Sequence, residues 1–211
     1  MEVHAPHHPI MSMREFLVHL SMVTIGILIA LGLEQSVEAY HHHELAEEAR
    51  RNIQTELRDN RKELEEHLAK IAGFKKQRAD DIDVVDQFLA HKKLNEVSMA
   101  LNFSGATLSS ASWSTASTVG AMVYMDYAEV KEFAEVYKKQ EFFDRLQDEQ
   151  VRYVQVGLGI MQSFSGPQKP SDEELRSLRT QLLQSEAGLE VLRQLGEQLD
   201  SEYVKALGGR K

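Results

Sequence analysis

The sequence predicts an all-α fold in which an N-terminal transmembrane helix runs into a long amphipathic helix, with a helical bundle of about four helices. Three observations carry this prediction. An uncharged apolar run of eighteen residues, Phe16 to Leu33, lies near the start of the chain. Beyond it, apolar residues recur at heptad spacing over stretches too long for strands. Breakers are confined to a few points, so the intervening segments read as long helices with negligible sheet.

Residues 1–14 form a tail and 15–36 the transmembrane helix. The run FLVHLSMVTIGILIALGL carries one histidine, His19, and no formal charge. As a helix it rises about 27 Å, close to the hydrocarbon thickness of a bilayer. A cleaved signal peptide competes with a retained anchor, and Val37-Glu38-Ala39 has the form of a cleavage site. Two features favour retention: the apolar run exceeds the usual signal core, and the helical pattern passes through Glu34 into Leu45 without a break. Arg14 precedes the span, whereas no Lys or Arg follows until Arg50 and Arg51. The positive-inside rule then favours the N-terminus in the cytoplasm and residues 37–211 on the periplasmic side of the inner membrane. Gly26 and Ala30 form a small-xxx-small pair that would let two spans approach.

The first helix of the soluble part is expected over 37–91. Leu57, Leu64, Ile71 and Val85 are seven or fourteen apart, with Leu68, Ile82 and Leu89 on the neighbouring stripe. Arg61, Lys75 and Arg78 interrupt these stripes, and Gly73 marks a candidate bend. Residues 92–111 gain Asn, Ser and Gly and read as a connection, with an extended piece around Met99 to Phe103. A short helix follows over 112–125, carrying Trp113, Ala116, Gly120 and Val123 on one face. Asp126 and Glu129 have the spacing of a capping box, opening a helix over 127–163 whose apolar face is Phe133, Tyr137, Phe142, Leu146, Tyr153 and Ile160. Gly166-Pro167 and Pro170 end it, and Ser171 with Glu174 caps a last helix over 171–207. Leu175, Leu182, Leu189, Gly196 and Tyr203 form one heptad string there; Leu178, Ser185, Leu192, Leu199 and Ala206 form the other. That seam demands partner helices, from this chain or from a second copy. Gly208-Gly209 has the form of a C-cap.

The chain carries a net charge of −9, so its overall field repels nucleic acid and anionic lipid. Its basic pairs, Lys75-Lys76, Lys92-Lys93 and Lys138-Lys139, fall on charged, solvated stretches. With no cysteine, disulfides, thiolate metal sites and a cysteine nucleophile are all excluded.

Candidate metal ligands are His41 and His43 with Glu38 and Glu47, which would take a divalent transition metal. Successive helical residues point about 100° apart, so chelation needs i,i+3 or i,i+4 pairs such as Glu38 with His41 or His43 with Glu47, or histidines donated by neighbouring protomers. The plainer reading is a hydrated interfacial girdle of Tyr40 and His41-His42-His43, with no cofactor. His43-Glu44-Leu45-Ala46-Glu47 lacks the second histidine of a zincin, and Glu38-Ala39-Tyr40-His41 is one E-x-x-H unit where a di-iron bundle needs two. His4, His7 and His8 add weak metal-handling capacity in the tail. Clustered histidines also allow a pH-responsive envelope sensor. The serines around Trp113 show no G-x-S-x-G or S-x-x-K pattern and read as caps and small packing residues, while Gly120 is expected to let its helix pack closely. There is no P-loop and no G-x-G-x-x-G.

Two segments, Ile25 to Leu64 and Trp113 to Phe143 with Tyr137 to Gln140 inside it, resemble uncharacterised bacterial single-span membrane proteins of a domain family of unknown function. The resemblance covers roughly the first two thirds of the chain and implies an anchor and a helical domain, without an activity. The expected function is therefore a non-enzymatic, membrane-anchored scaffold or interaction protein. It would self-associate or bind another helical membrane or envelope protein, using Gly26 and Ala30 in the span and Leu175, Leu178, Leu182, Leu189, Leu192 and Leu199 on the last helix.

Overall fold

The computed structural model describes residues 12–91, 99–163 and 170–208. Four α-helices and one 3-10 turn make up the regular structure of these residues: α1 (Met13–Leu89), α2 (Ala111–Thr118), the 3-10 turn (Ala121–Tyr124), α3 (Tyr127–Ser163) and α4 (Asp172–Ala206). Span and amphipathic helix are one element, α1, whose 77 residues rise about 115 Å. Ser12 and Glu15 close a capping box at its start, and its helix runs unbroken through Gly73, where the sequence suggested a bend. Burial divides it. An 18-residue apolar window near the N-terminus has none of its residues covered, whereas Ala46, Ile53, Leu57, Leu64, Ile71 and Val85 are buried.

The chain traces a three-helix bundle with an extended strap laid into it. Side-chain pairs fix the directions: Arg50–Glu129, Glu56–Tyr137 and Asn60–Gln140 set α3 parallel to α1, while Arg179–Asp86, Lys75–Glu190 and Arg61–Asp200 set α4 antiparallel. α4 packs along both α1 and α3. Its heptad seam is used entirely within the chain: Leu175, Leu178, Leu182, Leu189, Leu192 and Leu199 are each at most 3% exposed. These leucines therefore pack within the chain, against α1 and α3. The capping box of Ser171 and Glu174 forms as the spacing requires. Gly208, at φ 77°, closes α4; Gly209 lies outside the described residues.

Two other helical expectations change. The helix expected over 112–125 divides, because Gly120 takes φ 76° and turns the chain between α2 and the 3-10 turn. A Cβ there would meet nothing within 4 Å, so Gly120 is required for its left-handed backbone and not for close packing. On α3, Phe142 is 45% exposed and Phe143 takes the core place at 1%. The buried stripe is Phe133, Val136, Tyr137, Gln140, Phe143, Gln147 and Gln150, and its three glutamines conceal it from an apolar count.

Gly196 on α4 lies against side chains of both α1 and α3. A Cβ there would lie 2.6 Å from Leu68 Cδ2 and 3.1 Å from Phe143 Cε2, whereas a Cβ at Gly73 would meet nothing within 4 Å. Gly73→Ala should therefore stabilise the bundle by about 1 kcal/mol through helix propensity alone. In Gly196→Ala overpacking opposes that gain, and the two variants should differ by about 2 kcal/mol in urea unfolding. Equal effects would refute the packing at Gly196.

Candidate functional site

Two apolar clusters fill the bundle. The larger, around Ile53, Leu57, Leu64, Phe133, Phe143, Leu192 and Leu199, lies toward the span; the smaller, Val85, Leu101, Leu175, Leu178 and Leu182, lies at the far end. Between and beside them sits a seam of buried polar side chains: Glu56, Asn60, His67, Arg78 and Asp81 on α1, Gln140, Gln147 and Gln150 on α3, and Ser185 on α4. Most of these groups bond the strap of residues 99–110, or the start of α2 that follows it, between α1 and α3.

The strap descends as α1 ascends. Ala100 N donates to Asp81 Oδ1 at 3.0 Å, and Asn102 O accepts from Arg78 Nη2 at 3.2 Å. Gln147 takes both Ala106 groups, its Oε1 accepting the amide at 2.6 Å and its Nε2 donating to the carbonyl at 3.2 Å. Ser109 exchanges two bonds with Asn60, at 2.8 and 2.7 Å, and its carbonyl also accepts from Gln140 Nε2 at 3.0 Å. From Ala100 to Ser109 an extended chain reaches about 30 Å, and from Asp81 to Asn60 a helix rises about 31 Å. The strap is thus nearly fully extended. Among the described residues it has no neighbouring strand, so side chains replace the ladder bonds its peptide groups would otherwise lack.

Glu56 is the terminus of this seam. Its carboxylate accepts from Ser109 Oγ at 2.6 Å, Ser112 N at 2.9 Å and Tyr137 Oη at 2.6 Å. Burial alone would raise its pKa, yet these bonds hold it below the ordinary carboxylate value. Ser110 makes no side-chain cap to α2; Glu56 caps it from α1 instead, a charge suited to a helix N-terminus. Trp113 stacks on Tyr137 with centroids 5.3 Å apart, which gives the single tryptophan its place. The cluster looks superficially like a serine beside a base, but the amides that would form an oxyanion pocket are occupied by Glu56 itself. The arrangement holds α2 and the strap in position.

His67 is the second distinctive group. It is 2% exposed, and among the described residues neither ring nitrogen has a hydrogen-bond partner of good geometry. Phe103 and Phe143 stand edge-on to it at 5.7 and 6.0 Å, with Phe74 at 6.5 Å. Burial lowers its pKa, aided by Lys70 and opposed by the Ser104 backbone and Glu63. On α3, burial pushes the Asp144 carboxyl up to about 6.

The juxtamembrane residues do not converge on one point. His41 and His43 are exposed; Glu47 is held by Arg50, and Glu38 Oε1 lies 3.8 Å from Nε2 of His42. Among the described residues no group of three His, Cys, Asp or Glu side chains is placed to hold a metal. Within one chain, His41, His43, Glu38 and Glu47 are not brought together as a set. Helical geometry spreads adjacent histidines around the axis, and Arg50 takes the ligand the pattern needed. His42 instead stacks on Tyr124 at 3.8 Å. His4, His7 and His8 lie outside the described residues. Gly26 and Ala30 lie on the bare span, and a Cβ at Gly26 would meet nothing. No family model, curated protein or solved structure matches the chain.

Two predictions follow from the seam. Glu56→Ala strands the Tyr137 hydroxyl and the α2 amides and should cost about 2–4 kcal/mol, with a shift in Trp113 emission before global unfolding. An unchanged emission spectrum would refute the cap. For His67 the folded pKa lies below 6.5, so its full contribution to stability is present above that pH. As pH falls below 6.5 the unfolded chain takes up a proton that the folded chain refuses, and stability falls. Asp144 acts in the opposite sense between about pH 6 and 4, so the His67 effect is read as a difference. His67→Leu should lose less stability than the unmodified chain between pH 7 and 5 in urea titrations, and parallel losses would exclude the buried neutral imidazole.

Proposed function

We propose that this chain is a single-pass inner-membrane protein whose bundle acts as a non-enzymatic interaction module held rigidly at the membrane, on the periplasmic side. The observation that carries the proposal is the continuity of α1, in which an uncovered apolar segment and the central bundle helix are one helix. An apolar helix that its own chain leaves bare is matched by lipid or by another apolar helix. Retention of the segment is supported by the helical state of Val37-Glu38-Ala39, since processing concentrates in exposed irregular chain. A scaffold role is supported by the consumption of candidate catalytic groups in internal bonds. Self-association draws its support from Gly26 and Ala30, which lie on the uncovered span, since the α4 leucines are buried within the chain. This assignment agrees with the resemblance to uncharacterised bacterial single-span proteins.

A second reading, a pH-responsive envelope protein, draws support from His67 and not from the juxtamembrane trio. His67 stands against the strap through Phe103, so its protonation would loosen the contact between α1 and the strap.

Protease protection with a tag after Lys211 tests the main proposal in a bacterial host. Full-length chain that is cut only after the outer membrane is permeabilised is the expected outcome. Protection until the inner membrane is lysed would overturn the periplasmic side. A shortened chain released to the soluble fraction would overturn the anchor.

A further inference from the structure

The bundle ends toward the span in a turn that is unusually apolar for an exposed surface. α2 heads toward the span from the level of Glu56, the chain reverses over residues 119–126, and α3 leaves from Tyr127, its Glu129 bonding Arg50 at 2.6 and 2.8 Å. At the tip, Tyr124 stacks on His42. The end of α4 stays farther from the span, since Lys205 pairs with Glu132. Val123 and Tyr127 are 80% and 82% exposed, the highest values among the large apolar side chains described outside the span, and Val119 is 54% exposed beside them.

On α1 itself Tyr40 and Val37 are 62% and 57% exposed, on the side of the helix away from His42, whereas Glu38 lies one turn below His42 on the side of the tip. No Lys or Arg lies between Glu34 and Glu48 or between Val119 and Tyr127, while Asp126 caps α3 beside the tip. Such a surface is unsuited to anionic headgroups. It suits the interface of a neutral, zwitterionic layer, where Tyr and aliphatic side chains partition favourably.

Height decides whether contact is feasible. Nine residues separate Leu33 from His42, a rise of about 13 Å. The headgroup layer takes up about 5–8 Å of this. A tilt of about 20°, ordinary for a span, lowers an element one helix width to the side by about 3 Å. The remaining gap is about the reach of one large side chain.

We propose that the α2–α3 turn rests on the headgroups of the bilayer that holds α1, with Val119, Val123 and Tyr127 making a second, peripheral contact with neutral lipid. This rests on the anchor reading above. The unbroken helix between the two contacts makes them one rigid unit, so the contact sets the tilt and rotation of the bundle over the membrane.

The absence of cysteine allows the test on full-length chain in phosphatidylcholine vesicles. Ile25→Cys, Val123→Cys and Thr180→Cys would each carry an environment-sensitive fluorophore, with nitroxides placed either on the headgroups or deep in the acyl chains. Thr180 is exposed on α4 beside the Arg179–Asp86 pair, at the far end of the bundle. The expected result is quenching at Ile25 by acyl-chain nitroxide and an at least about twofold loss at Val123 with headgroup nitroxide, the label lying within that layer. Thr180 should remain unquenched. Quenching at Ile25 with Val123 behaving as Thr180 overturns the contact and leaves the anchor standing. An unquenched Ile25 overturns both. Shielding of Val123 that instead follows the protein-to-lipid ratio assigns the turn to a second copy and overturns the lipid contact.

Discussion

A peptide chain without regular structure, laid between two helices, brings amide and carbonyl groups into the interior with no ladder to receive them. Leaving such groups unpaired costs more than most single contacts supply. The strap at 99–110 imposes this condition on the whole bundle. Asp81, Arg78 and Asn60 on α1 and Gln140 and Gln147 on α3 supply the missing partners, each from a position where a helix would otherwise place an apolar core residue. Glu56 ends the series by capping α2. The order of the fold follows: α4 carries the apolar packing to both α1 and α3, and the strap and its polar partners join α1 to α3.

This division of labour has an energetic consequence. Apolar burial along the α4 seam is non-directional and tolerates sliding, whereas the strap bonds have one register, because each side chain meets a specific backbone group. The buried Arg78–Asp81 pair at 3.3 Å and the Gln150–Ser185 bond at 3.0 Å separate the two apolar clusters. Such groups contribute less to net stability than hydrophobic replacements would, and here they fix the height of the strap against α1. The pH-sensitive groups belong to the same interior. His67 meets the strap through Phe103, and Asp144 accepts from Gln147, the residue that holds Ala106.

The legible parts of the fold are those where one face repeats. The span, the string Leu57, Leu64, Ile71 and Val85, and both strings of α4 could be read from spacing because their side chains are apolar at every core position that the pattern marks. The α3 stripe was half hidden, since Gln140, Gln147 and Gln150 occupy core positions and an apolar count passes over them to Phe142. Arg78 sits at the heptad position between Ile71 and Val85 and reads as an interruption; in the structure it is the core residue of that turn, bonded to the strap. The capping box at Asp126 is half formed for a similar reason: Asp126 accepts the α3 amides, while Glu129 is drawn away to Arg50.

By itself the sequence determined the helical class, the apolar span, its continuation into a long amphipathic helix and the seam of α4, because these depend on local periodicity and length. Only the tertiary structure decided what the seam packs against, why Gly120 is a glycine, where Trp113 rests and which glutamate caps α2. It also separated the juxtamembrane histidines that the linear pattern grouped. The physical reason is common to these cases: hydrophobic periodicity is a property of one element, whereas a buried polar group acquires its role from a partner dozens of residues away. Spacing along the chain carries no record of that partner.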